Sequence, residues 1–151
     1  MAAAADNTGA GRRNMAWPQM LALVFGAVYL LVGIVGFFFT GGSHFADRNG
    51  DDMLIGLFMV NPLHNIVHIL VGLLGLALAR TLAGARTYGW LLFVAYAAVS
   101  VYGFIAIDKS WDFLAINSAD NVLHVVTTLI GLIIALAPVE ESLRSRATSG
   151  V

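Results

Sequence analysis

Four apolar runs separated by polar segments set the pattern of this chain. The first covers residues 17–39. It is too long for the core of a signal peptide, and the residues after it, Thr40, Gly41, Gly42 and Ser43, offer no small-x-small cleavage site. It therefore reads as an uncleaved span. Residues 40–53 are polar and carry His44, Asp47, Arg48, Asp51 and Asp52. The short apolar stretch 53–60 leaves two placements open: an outward extension of the next helix, or a segment lying in the membrane interface. Asn61 and Pro62 then give a helix start, with Asn as N-cap and Pro at the first helical position. The second run, 62–80, would be about 28 Å long at about 1.5 Å per residue, close to the thickness of a bilayer's hydrocarbon. A turn over 81–87 leads to a third run at 88–107. Trp111 and Phe113 stand among the charges of the next loop, as suits the headgroup level. Asn117 and Ser118 begin the fourth run, 119–137, and Pro138 ends it.

Composition turns this pattern into a fold class. Apolar residues make up 59% and charged residues 11% of the chain. A soluble core of this length cannot use that much apolar surface. The expectation is an all-α integral membrane four-helix bundle over 15–139. Residues 1–14 and 140–151 are expected to be flexible cytoplasmic tails, too poor in apolar surface to order themselves. With no cysteine, disulfides, thiol chemistry and thiolate-bound metal are excluded.

Charge gives an orientation. Arg12, Arg13, Arg80, Arg86, Arg144 and Arg146 fall on one side, and only Arg48 and Lys109 on the other. The expectation is a multi-pass bacterial plasma-membrane protein with both termini cytoplasmic. The outer segments hold Asp47, Asp51, Asp52, Asp108, Asp112 and Asp120, of which Asp108, Asp112 and Asp120 read as solvated surface charges. The basic pairs are too small to bind nucleic acid and suit anchoring to anionic lipid.

The second and fourth runs share a rare string. Asn61, Asn65 and His68 recur as Asn117, Asn121 and His124, a shift of 56 that also pairs Gly75 with Gly131. The first and third runs align by 67, pairing Tyr29 with Tyr96 and Gly36 with Gly103. Two similar helical hairpins, a parallel internal repeat, would explain both shifts. The four-run plan resembles the bacterial membrane family known as domain of unknown function 4383. The resemblance rests on Asn61, Pro62, His64, Asn65 and His68 followed by Val71 and Gly72, and on Asp120, Asn121 and His124. It covers about residues 17–138. It implies an architecture and a location, and no activity.

Polar side chains in a span need internal partners. Asn65, His68, Asn121 and His124 are therefore expected to face the bundle interior as an interhelical polar cluster, with His64 and Asp120 opposed nearer the surface. One reading is a hydrogen-bond network that fixes packing. A second is metal ligation: His64 and His68 stand one turn apart, and His124 with Asp120 would complete an N3O site for zinc or copper. His44 is a further outer ligand candidate. Alternatively His68 and His124 would hold a haem between them. A third reading is a small transporter, although the inner halves of these helices carry no acid or His. No nucleophile elbow and no phosphate loop is present. The favoured statement is a non-enzymatic membrane protein, an accessory or assembly component meeting lipid and other membrane proteins, with any cofactor unknown.

Overall fold

Asn61, Thr81 and Asn117 each precede a helix and accept a hydrogen bond from the backbone three residues on: His64 at 2.8 Å, Gly84 at 3.0 Å and Asp120 at 3.0 Å. Such caps satisfy donors that a first turn leaves orphaned. They start three of the four helices in this computed structural model, which describes residues 15–48 and 52–138. The helices are α1 (Trp17–Thr40), α2 (Pro62–Leu78), α3 (Leu82–Ala106) and α4 (Ser118–Leu136). The all-α bundle expected from the pattern is what forms. The two tails expected at 1–14 and 140–151 lie outside the described residues.

Two segments differ from the sequence reading. The turn expected over 81–87 is confined to the residues before Leu82, because Thr81 caps α3 there. The segment 53–60 does not extend α2. Met53–Leu54 (β1) and Phe58–Met59 (β2) pair antiparallel as a small hairpin, with Met53 opposite Met59. Ile55 and Gly56 make its turn at positive φ, +52° and +70°. Successive positive φ values match the twist of a tight hairpin, and Gly accepts them freely.

The helices pair as antiparallel hairpins, α1 on α2 and α3 on α4, and glycine sets how closely. A methyl on Gly75 would lie 2.7 Å from the Cα of Gly26. One on Gly131 would lie 2.6 Å from the backbone nitrogen of Phe93. Only hydrogen fits at such crossings, as in other helix pairs built on small residues. Between the hairpins the filling is larger: Tyr29, Tyr88, Leu92, Tyr96 and Ile134 are buried there. Nowhere do α2 and α4 bring Cα atoms within 8 Å of each other. Long side chains span that diagonal.

Three helices, α1, α3 and α4, are long and apolar enough to cross a membrane; α2 is apolar but shorter, at 17 residues. Their outward faces are apolar as well, with Leu31, Phe38, Val94 and Val101 all more than half exposed.

Gly75→Val should lower the melting temperature in detergent, because the added groups push α2 off α1 and such overpacking costs about 1–3 kcal/mol. Gly42→Ala, at a position with nothing within 4 Å, should leave the melting curve where it was. Equal melting temperatures for the two variants would mean that α1 and α2 do not cross at this glycine.

Candidate functional site

The N-terminal ends of α2 and α4 are held by a cap made of the loops before them. Asn61 donates from Nδ2 to the carbonyl of Phe113 at 2.8 Å and to that of Asp47 at 3.3 Å. Asn117 donates to the carbonyl of Leu57 at 2.9 Å. Each N-cap side chain thus starts its own helix with its oxygen and grips a loop of the chain with its amide. The backbone nitrogen of Leu63 donates to the Phe45 carbonyl at 3.0 Å. Arg48 pairs with Asp108 at 2.7 Å across the two loops.

Under this cap three imidazoles converge. His64, His68 and His124 are all buried, and one ring nitrogen from each lies within 4.8 Å of the others. The His64 ring centre is 4.5 Å from that of His68 and 5.8 Å from that of His124. His64 and His68 share a face of α2 because they stand one turn apart. His124 reaches them across the open diagonal. Nδ1 of His64, both nitrogens of His68 and Nδ1 of His124 are buried with no hydrogen-bond partner in the protein. Buried polar atoms are seldom left so.

Tyrosines line the inner side of this cluster. Tyr29 stacks at 5.3 Å from His68, Tyr96 at 5.4 Å from His124, and the two tyrosines at 5.4 Å from each other. The Tyr29 hydroxyl is hydrogen-bonded to Thr127. The Tyr96 hydroxyl has no partner in the protein.

The other residues singled out from the sequence go elsewhere. Asn65 points into the α1–α2 crossing, where its Nδ2 donates to the Thr40 hydroxyl at 3.0 Å and its amide fills the space over Gly36. Asn121 does the same over Gly103 on α3. Neither asparagine hydrogen-bonds a histidine, so the four-residue Asn/His network expected between α2 and α4 is not what the structure brings together. Asp120 does not face His64 as a ligand. Its Oδ2 accepts from the backbone nitrogens of Asn117 at 3.0 Å and Met59 at 3.2 Å, closing a capping box and tying down the β-hairpin. His44 sits on the exposed loop, 3.5 Å from Asp47.

Sequence reasoning missed Asp112. Read as a solvated charge, it is 1% exposed. Its carboxylate accepts from the backbone of Ile116 at 2.7 Å and Leu114 at 3.3 Å, and from the Tyr102 hydroxyl at 3.1 Å. The available signal was its place five residues before the N-cap Asn117, where a short loop must satisfy its own backbone.

Asp112→Ala should destabilise the fold by about 1–3 kcal/mol, since it leaves buried N–H groups without acceptors. Asp108→Ala removes an exposed ion pair and should cost less than about 1 kcal/mol. Thermal unfolding of both variants decides the point; an Asp112→Ala protein as stable as Asp108→Ala would mean that the carboxylate does not hold the cap.

No curated protein matches this chain, and no solved structure does. The family described as "Domain of unknown function (DUF4383)" matches residues 19–137, which include the whole cap, the three histidines and both asparagines. The chain belongs to this family.

Proposed function

We propose that this chain is a four-span membrane protein whose function is to hold a transition-metal ion on His64, His68 and His124. The observation that carries the reading is the convergence of three buried imidazoles, four of whose six ring nitrogens have no protein partner. Each imidazole, if neutral, offers one lone pair, and three of them suit zinc or copper. Tetrahedral zinc holds its nitrogens at about 2.0–2.1 Å, so nitrogens that lie within 4.8 Å of one another would draw together to close on an ion. Such an ion supplies Lewis acidity, or one-electron chemistry if it is copper. Asp120 is outside the ligand set, because its Oδ2 already serves two backbone donors.

The surroundings support a membrane setting. The outward faces of α1, α3 and α4 carry large apolar residues in patches that a soluble monomer does not leave open. Arg80 and Arg86, at the end of the bundle away from the cap, and the arginines of both tails in the sequence favour cytoplasmic termini. The two hairpins behave as copies of one unit. Gly36 receives Asn65 as Gly103 receives Asn121, and Tyr29 meets His68 as Tyr96 meets His124. His64 breaks the repeat, since its counterpart under the shift of 56 is Asp120. In this reading the duplication built the cavity, and His64 made it a three-nitrogen site.

The rival readings have less behind them. A packing network would need the histidines to bond to each other or to the asparagines, and neither occurs. A haem held between His68 and His124 would have to displace the rings of His64, Tyr29 and Tyr96, which lie against them. A transport path would need to go on inward. Among the described residues the acids and histidines all lie at the capped end, and below them stand only hydroxyls such as Tyr29, Tyr96 and Thr127. We place the protein as a metal-carrying accessory component of the membrane, not an enzyme in its own right.

Elemental analysis of protein purified without a metal-binding tag should find about one zinc or copper per chain, as three imidazoles can hold one ion. His68→Leu and His124→Leu should each lose it while circular dichroism stays helical. Acid should release it, because protons compete for the same nitrogens. Wild-type protein that takes up neither metal on reconstitution would sink the proposal.

A further inference from the structure

The hairpins part between α1 and α4 at the level of His68. The cleft has two adjoining lobes, of about 240 and 260 Å³, which share Val32, His68 and Leu123. The outer lobe runs beneath the β-hairpin, past Val35 and Phe58, to Asp120. The inner lobe runs past Phe25 to the Tyr29–Thr127 pair. Apart from those ends the lining is aliphatic or aromatic. His68 stands where the lobes meet. It is 4% exposed, and neither of its ring nitrogens has a partner in the protein. An apolar cleft with few, convergent polar groups is the usual form of a small-ligand site.

Three features narrow the occupant. The mouth lies between helix faces where Leu31 and Val28 are exposed, so in the membrane reading it opens on hydrocarbon and admits what dissolves there. The adjoining lobes, about 240 and 260 Å³, together fall in the small-molecule range of roughly 300–1,000 Å³, so the cleft has room for one small molecule. No Lys or Arg lines either lobe to pair with an anionic head such as that of a fatty acid, and Asp120 closes the outer end with its Oδ2 already accepting from two backbone donors.

We infer that this cleft binds a neutral, membrane-dissolved molecule with one hydrogen-bonding head on an apolar body, of alkylphenol or quinol chemistry, with the head at His68. The inference rests on the metal-centre reading in one respect: an ion on three imidazoles keeps a fourth position that such a head can take. The cleft and the unpartnered imidazole stand without it. The site is thereby given a ligand class and a direction of approach, sideways from the bilayer and not through the cap.

The test uses the full chain in lipid nanodiscs with a photoreactive alkylphenol that carries its reactive group on the chain. Cross-linked residues are mapped by mass spectrometry, and metal content is measured on the same samples. Labelling should saturate around Val32 on α1 and Leu123 on α4 and be displaced by unlabelled alkylphenol. Leu123→Trp fills the cleft and should weaken binding about tenfold or more, whereas Leu129→Trp, on an exposed position outside the lining, should not. Labelling that never saturates and falls equally on Val94 and Val101 would overturn the inference, since that is the record of bulk lipid. So would displacement by a fatty acid in preference to the phenol, or an unchanged Leu123→Trp. Loss of saturable labelling with metal intact overturns the cleft alone. Saturable labelling on protein that takes up no metal overturns the metal centre alone and leaves the cleft.

Discussion

The close approach of backbones inside each hairpin is the constraint on which the rest of the site depends. Gly26 against Gly75, and Phe93 against Gly131, bring each helix pair together without side chains between them. Pairs this tight leave α2 and α4 on a diagonal too wide for backbone contact. That gap is the only reason large polar rings fit in the middle of the bundle. The tyrosines fill its inner part, and the histidines occupy the outer part. A bundle of four equally spaced helices would have had room for leucines and little else.

A gap of this kind has to be closed at its end, and the cap does so with polar groups that each serve twice. Asn61 and Asn117 cap their helices with one side-chain atom and hold a loop with the other. Asp120 serves the capping box and the β-hairpin together. Asp112 collects the donors of the loop before α4. These bonds matter more than the exposed Arg48–Asp108 pair, because a buried donor left without an acceptor costs more than a surface ion pair contributes. The cap also seals the histidines from water on that side, which makes their unpartnered nitrogens more consequential.

Much of this was legible in the sequence, and the limits were physical. The four helices, the Asn61 and Asn117 caps and the shared Asn/His string could all be read, because helix periodicity and capping are local. The destinations of the side chains could not. Asn65 and His68 are three residues apart, which on a helix is an offset of about 60°. That suffices to send the amide into the α1 crossing and the imidazole to the centre. Asp112 was misread because a loop has no period to separate buried from exposed positions. The β-hairpin at 53–60 is too short for alternation to show, and its turn depends on a positive φ at Ile55, a residue that rarely adopts one.

The difference between structural glue and a metal centre comes down to where unsatisfied capacity lies. Several buried polar groups that hold the packing have partners: Asn65 with Thr40, Tyr29 with Thr127, Asp112 and Asp120 with backbone. The histidines are as buried as these, and four of their six ring nitrogens have no partner in the protein. Those four nitrogens work against stability, since burying polar atoms unpaired is costly. In the metal reading, a cluster of imidazoles with unpartnered nitrogens that lie this close together is explained by an ion bound among them. The string shared by α2 and α4 pairs His68 with His124, but it sets Asp120, committed to backbone, opposite His64. In the metal reading, that third imidazole is the departure from symmetry that a pair of histidines needs to become a site for an ion.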